Sequence, residues 1–157
     1  MTLTLIVLAA LALGVAACSG TAVPAVPSTS TGSQSATAVP SVEIPPDAIV
    51  VELSIPAEKR QAPFQLDGRP IERIDVKADQ PYVFRITNAG RRDHNFFIGV
   101  EKDLAAREYS RLRGVDLWSG GVREVVYTFK SDAPPLQLAC TLAGHYGLMH
   151  ADIVVEP

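Results

Sequence analysis

Apolar and polar residues alternate with a period of two in several short runs after residue 47. In the first run, AIVVELSI at residues 48–55, four apolar side chains share one face: Ile49, Val51, Leu53 and Ile55. Such alternation is typical of a half-buried β-strand. Further short runs rich in β-branched and aromatic residues occupy positions 82–87, 94–100, 123–129, 136–140 and 152–156. The pattern therefore predicts seven or eight short strands.

Turn-forming residues separate these runs. They occur at Asp67–Gly68, Asn88–Gly90, Ser119–Gly121 and Ala133–Pro135. Many short strands with such turns between them favour an all-β fold, either a sandwich or a barrel.

One segment of the chain has a different character. Residues 103–113, DLAAREYSRLR, consist mostly of good helix formers, and Asp103 stands where an N-cap is expected. We therefore predict one short helix over Asp103–Arg113, ending near Gly114.

The first 42 residues carry no charged side chain. Leu3–Ala17 is an apolar run of 15 residues, which is shorter than the roughly 20 residues of a spanning helix and suits an export signal. It ends in VAAC at Val15–Cys18, which resembles the lipobox of bacterial lipoproteins, where the signal is cleaved before an acylated cysteine. We predict a lipoprotein-type signal at residues 1–18 with Cys18 lipidated. An ordinary signal peptide and an uncleaved anchor are the alternatives.

Residues 19–46 are dominated by Ser, Thr, Ala, Pro and Gly. Such a composition cannot bury a core, so we expect a disordered tether. The remaining residues, 47–157, suffice for one small domain. The net charge of −3 gives no support for nucleic-acid binding. We expect the protein to be a monomer.

The segment CTLAGHYGLMH at residues 140–150 holds the one cysteine outside the N-terminal segment, two of the three histidines and one of the two methionines. Three chemistries use Cys and His together: a Cys nucleophile with a His base, structural zinc and mononuclear copper. The flanking residues suggest no oxyanion site, and structural zinc usually needs more cysteines. Copper takes two His and one Cys with a weak axial Met, which favours a copper site.

The spacing allows one loop to bend around one metal ion. His145 follows Cys140 after four residues, and Met149 follows after three more. His94, at the start of the strand HNFFI, can supply the second imidazole. We predict His94, Cys140, His145 and Met149 as the ligands. Because successive side chains of an extended segment point opposite ways, we expect His150 to face solvent or the neighbouring surface.

The segments TNAGRRDHNFFI and LACTLAGHYGLMH resemble the two copper-binding segments of the cupredoxins, the type 1 blue copper proteins of auracyanin, halocyanin and azurin type. The resemblance implies a cupredoxin-like Greek-key β-sandwich that holds one copper ion through the same four residues. It also implies that Asn95 ties the two ligand segments together and that His145 is the electron port at the surface.

These features together predict an electron carrier and not an enzyme. We expect an exported protein, lipid-anchored to the outer face of a bacterial or archaeal membrane, in the periplasm or at the cell surface. It would exchange single electrons with a redox protein donor and acceptor. A copper-storage or copper-delivery lipoprotein and a binding subunit of a larger complex are the alternatives. The pair Arg91–Arg92 is expected to be solvated turn charge, with partner docking as its alternative.

Overall fold

The computed structural model describes residues 43–57 and 61–157. The predicted signal segment, Cys18 and the tether up to residue 42 lie outside this part of the chain. Eight strands are present: β1 Ile49–Ile55, β2 Gln65–Leu66, β3 Arg69–Pro70, β4 Arg73–Lys77, β5 Pro81–Gly99, β6 Arg113–Thr128, β7 Leu136–Ala139 and β8 His150–Glu156. They confirm the all-β prediction. Within the described ranges, no helix has the length and hydropathy needed to cross a membrane.

All eight strands belong to one hydrogen-bonded sheet. Its order is β3-β2-β1-β5-β7-β8-β4, and β6 pairs with β5. The pairs β1–β5 and β4–β8 are parallel, whereas β6 and β7 run antiparallel to β5. Leu53 of β1 and Val76 of β4, which are far apart in the strand order, pack into the same core cluster. The sheet is therefore curled around a single main core.

Aromatic side chains fill the centre of this core. Phe84 and Phe96 come from the two halves of β5, and their ring centroids lie 5.9 Å apart. Phe64 and Phe129 contact them edge to face. Because β5 contributes to the core along both halves, it connects the body of the sheet to the end at which His94 lies.

Two of the predicted turns do not form, and their residues lie inside strands at this end of the sheet. Asn88–Gly90 lies inside β5 and Ser119–Gly121 lies inside β6. The strands pair at Asn88↔Gly121 and again at Asp93↔Ser119, so residues 89–92 stand opposite Gly120 alone. Gly120 and Gly121 have φ of 71° and 76°, which glycine adopts readily. The turn-forming residues thus make a large β-bulge, four residues against one, instead of ending the strand.

The predicted helix is also shorter and earlier than expected. The helix α1 spans Glu101–Ala106 with Val100 as its N-cap, so Asp103 lies in the first turn and not at the cap. Arg107 adopts a left-handed conformation with φ 59° and ends the helix. A 3-10 helix at Tyr109–Arg111 follows, and β6 begins at Arg113. The helix-forming residues after Arg107 therefore belong to the connection that leads from α1 to β6.

Candidate metal centre

The three predicted nitrogen and sulfur ligands meet at one end of the sheet. His94 lies on β5 just after the bulge, opposite Trp118 of β6. Cys140 directly follows β7, whose last residue, Ala139, pairs with Phe97 of β5. His145 lies in the loop that joins β7 to β8. Strand pairing therefore brings together residues that are 46 positions apart in sequence.

The side chains of these residues are in mutual contact. The Cys140 Sγ lies 3.8 Å from Nδ1 of His94 and 3.5 Å from Nδ1 of His145. The two imidazole centroids are 5.2 Å apart. One potential ligand atom from each of the three residues falls within 4.8 Å of the others. Cys140 is fully buried, and His94 and His145 are 2% and 8% exposed.

Backbone hydrogen bonds hold the loop between Cys140 and Met149 in a compact form. The Cys140 N–H donates to the Met149 carbonyl at 2.8 Å, which closes the loop at its base. The His145 carbonyl accepts N–H groups from Leu148 and Met149 at 3.0 Å and 2.9 Å. The Met149 side chain is fully buried in the same core cluster as Cys140. The loop thus bonds the Met149 backbone to Cys140 and His145 and buries its side chain in the core.

Asn95 links the two segments that carry the candidate ligands. Its Oδ1 accepts the Thr141 N–H at 2.7 Å, and its Nδ2 donates to Thr141 Oγ1 at 3.0 Å. Both residues are buried. Asn95 follows His94 and Thr141 follows Cys140, so this pair of bonds fixes the two candidate ligands relative to each other.

Burial controls the protonation of the centre. Desolvation lowers the pKa of His94, and the neighbouring His145 lowers it further. Desolvation also raises the pKa of Cys140, although backbone N–H groups of Asn95 and Leu142 bond to its sulfur and act in the opposite direction. The neutral forms are therefore favoured in the metal-free protein, and a bound cation must displace the thiol proton.

This donor set fits copper. One soft thiolate with two imidazoles is the trigonal arrangement of blue copper sites, which a long axial thioether completes. Structural zinc usually takes four closed ligands with more cysteines than this site offers. The buried cluster of His94, Cys140 and His145 matches the copper arrangement.

The remaining predicted residues lie apart from the cluster or at its edge. His150 turns away from it: its Nδ1 lies 2.8 Å from the Tyr146 carbonyl oxygen and its ring stacks on Tyr146 at 5.3 Å. Arg91 and Arg92 are exposed and border the centre, where they help to line a cavity of about 370 Å³ together with His145.

Two residues that position the site were not predicted from the sequence. Thr141 donates its N–H to Asn95 Oδ1 and accepts a bond from Asn95 Nδ2 through its Oγ1. Asn88, which is buried, donates to the Arg92 carbonyl at 2.8 Å and accepts the Gly90 N–H at 3.1 Å. The turn signal at Asn88–Gly90 marked this second position, but it did not show that the side chain would hold a bulge.

No protein-family model and no curated protein sequence matches the chain. Solved structures do match it. Auracyanin A, described as a "blue" copper protein from the photosynthetic bacterium Chloroflexus aurantiacus, is 22% identical with a TM-score of 0.55, over 69% of this chain and 99% of that one. Auracyanin from Roseiflexus castenholzii is 17% identical with a TM-score of 0.55, over 70% of this chain and 98% of that one.

Rusticyanin from Thiobacillus ferrooxidans is also similar in structure. It is 14% identical with a TM-score of 0.55, and the match covers 70% of this chain and 78% of that one. The likeness extends over most of the described residues and agrees with the curled all-β sheet. The chain therefore has the cupredoxin fold, as the resemblance of its two candidate ligand segments implied.

Proposed function

We propose that this protein is an extracytoplasmic, membrane-tethered one-electron carrier that binds one copper ion through His94, Cys140, His145 and Met149. The observation that carries the proposal is the buried cluster of one thiol and two imidazoles with ligand atoms within 4.8 Å of one another. The similar structures include a protein described as a blue copper protein. Bound copper would supply one-electron chemistry between Cu(I) and Cu(II).

The residues around the cluster suit this task. Hydrogen bonds of Asn95 and of the closed loop hold the candidate ligand positions, which would limit the rearrangement that accompanies electron transfer. The N–H groups of Asn95 and Leu142 bond to the Cys140 sulfur and would stabilise its thiolate. His145 is the most exposed of the three clustered residues, so we propose that electrons enter and leave through its edge.

Burial favours a carrier over copper storage or delivery. A protein that hands on metal needs a site that incoming ligands can reach, whereas Cys140 is fully buried and His94 is 2% exposed. We therefore propose that the copper stays bound while electrons are exchanged with a redox protein donor and acceptor.

The visible spectrum of the purified full-length protein with Cu(II) tests the copper site. Thiolate coordination gives an intense charge-transfer band, so wild type should be blue. Cys140→Ser should remove the band, because only a thiolate sulfur donates to Cu(II) in this way. Leu148→Ala is the matched control, since this neighbouring loop residue is 57% exposed and should leave the band in place. A colourless wild type, or a band that survives in Cys140→Ser, would refute the site.

The membrane tether rests on the sequence VAAC at Val15–Cys18 and needs a separate test. Expressed in a bacterial host, the wild type should fractionate with membranes and carry lipid on Cys18 by mass spectrometry. Cys18→Ser should lose both the lipid and the cleavage at that point. A mature wild-type protein without lipid would refute the anchor and leave the copper site unaffected.

A further inference from the structure

Two arginines stand beside the most exposed part of the metal centre. Arg91 and Arg92 are exposed residues of the β5 bulge. With Asp93, Leu142, Ala143 and His145 they line one open cavity of about 370 Å³. Anything that reaches His145 through this cavity therefore also lies beside both arginines.

The side chain of Asn88 holds the backbone of these arginines in place through hydrogen bonds. Asn88, which is 2% exposed, donates through Nδ2 to the Arg92 carbonyl at 2.8 Å and accepts the Gly90 N–H at 3.1 Å. The same Nδ2 lies 3.4 Å from the Trp118 carbonyl of β6. A buried polar side chain thus holds the bulge in one shape and keeps the arginines next to His145.

The charges of the two arginines are also available to bind an acidic partner. Within residues 43–57 and 61–157, neither forms an ion pair, whereas Arg73, Arg85 and Arg111 all pair with carboxylates. Asp93 reduces the charge of residues 91–93 to a net +1, from two arginines and one aspartate. The net charge of −3 lies entirely after residue 42, so residues 91–93 carry a charge opposite in sign to the net charge of the domain.

We propose that Arg91 and Arg92 form a docking surface for an acidic redox protein, whose carboxylates they bind while its redox centre faces the edge of His145. This inference rests on the proposed electron-carrier function. Arginine binds carboxylates in a bidentate manner, and charge complementarity raises encounter rates more than final affinity, as a transient carrier requires. A membrane surface bound to the same arginines would instead cover His145 and block electron exchange.

The first test uses the metal-free, full-length protein and the redox-inert paramagnetic anion hexacyanochromate(III). The anion should broaden the amide NMR signals of residues 91–93 and 142–145, and poly-L-glutamate should reverse the broadening. Arg91→Gln/Arg92→Gln should lose it. The charge-matched control is Lys77→Gln/Lys130→Gln, because Lys77 pairs with Glu156 at the far end of β8 from His150, and Lys130 follows the end of β6 that pairs with Pro81.

The second test measures electron exchange of the copper-loaded protein at low ionic strength. Hexacyanoferrate(III) takes one electron from the reduced protein and becomes hexacyanoferrate(II). The arginine double variant should slow this oxidation about three- to tenfold, and added salt should remove the difference. Reduction of the oxidised protein by the cation hexaammineruthenium(II), which gives up one electron, should not slow. The lysine control should match wild type in both reactions.

The outcomes separate the two proposals. If the arginine variant keeps the broadening or the wild-type rate with hexacyanoferrate(III), the docking surface is refuted and the carrier function stands. If wild type exchanges electrons with neither reagent, the carrier function is refuted, and redox docking with it. If phosphatidylglycerol vesicles bind wild type but not the arginine variant, the surface serves lipid headgroups and the proposal is overturned.

Discussion

Asn95 forms two hydrogen bonds with Thr141, one through each polar atom of its side-chain amide. The Oδ1 accepts the Thr141 N–H at 2.7 Å, and the Nδ2 donates to Thr141 Oγ1 at 3.0 Å. This link joins β5, just after His94, to the loop just after Cys140. The protein therefore fixes the relative placement of two candidate ligands through its own hydrogen bonds.

Asn95→Ala should destabilise the metal-free protein and loosen the site. It removes two buried hydrogen bonds and leaves the Thr141 N–H without its acceptor, which costs about 1–3 kcal/mol of unfolding free energy. Urea unfolding of the metal-free protein measures this cost. Copper should also dissociate faster from the variant, as followed by transfer to a Cu(I) chelator.

Thr141→Val is the graded control for this link. It removes the Oγ1 bond but keeps the 2.7 Å bond from the Thr141 N–H, so its effect should be about 1 kcal/mol. If Thr141→Val lowered the unfolding free energy as much as Asn95→Ala does, the link to Asn95 would not account for the loss. The loss would then come from another contact, for example the one between Thr141 Oγ1 and the Tyr109 hydroxyl at 3.3 Å.

Gly114 should tolerate no side chain. A Cβ at this position would collide with the Phe96 carbonyl oxygen and lie 2.7 Å from the Phe97 Cα. Backbone atoms cannot move aside cheaply, so Gly114→Ala should lower the unfolding free energy by about 1–3 kcal/mol. Gly147→Ala is the matched control, since its Cβ would meet nothing within 4 Å. Equal thermal midpoints for the two variants would contradict the close approach of β6 to β5.

The strands and the ligand cluster were predictable because each has a strong local signal. Period-two alternation marked β1 and the first half of β5, and the concentration of Cys, His and Met within residues 140–150 marked the candidate site. The bulge was not predictable, because Asn88–Gly90 has turn-forming residues whether the chain reverses or continues. Only the facing Gly120 and Gly121, which are distant in sequence, decide between these outcomes. Thr141 went unnoticed for a similar reason, since its partner Asn95 lies 46 residues away.

The stability of the metal-free protein should fall as the solution becomes acidic. Burial lowers the pKa of His94 below its ordinary value of 6.5. The ordinary pKa applies to the unfolded chain, and the lowered pKa applies to the folded protein. At a pH between the two, the unfolded chain binds a proton at His94 and the folded protein does not, so stability rises with pH in this window. Urea unfolding should therefore give a lower unfolding free energy at about pH 5 than at about pH 7.

His94→Gln tests whether this imidazole is responsible. The variant cannot titrate at this position, so the loss of stability between neutral and acidic pH should be smaller than in wild type. An unchanged pH dependence in His94→Gln would assign the effect to other groups.

The identity of the axial ligand can be decided between two adjacent residues. Met149 is fully buried in the core cluster that contains Cys140. The His150 Nδ1 lies 2.8 Å from the Tyr146 carbonyl, and its ring stacks on Tyr146, so this imidazole is engaged outside the cluster. Met149 should therefore provide the weak axial thioether, which tunes the reduction potential of blue copper sites.

Met149→Leu should keep the blue colour and raise the reduction potential. Leucine has nearly the same volume, so the core stays packed, while Cu(II) loses a weak donor and Cu(I) is favoured in relative terms. Redox titration followed at the charge-transfer band measures the shift. His150→Gln serves as the neighbouring control and should leave both band and potential close to wild type. A raised potential in His150→Gln, together with no change in Met149→Leu, would show that the histidine is the axial ligand and that the loop register is displaced by one residue.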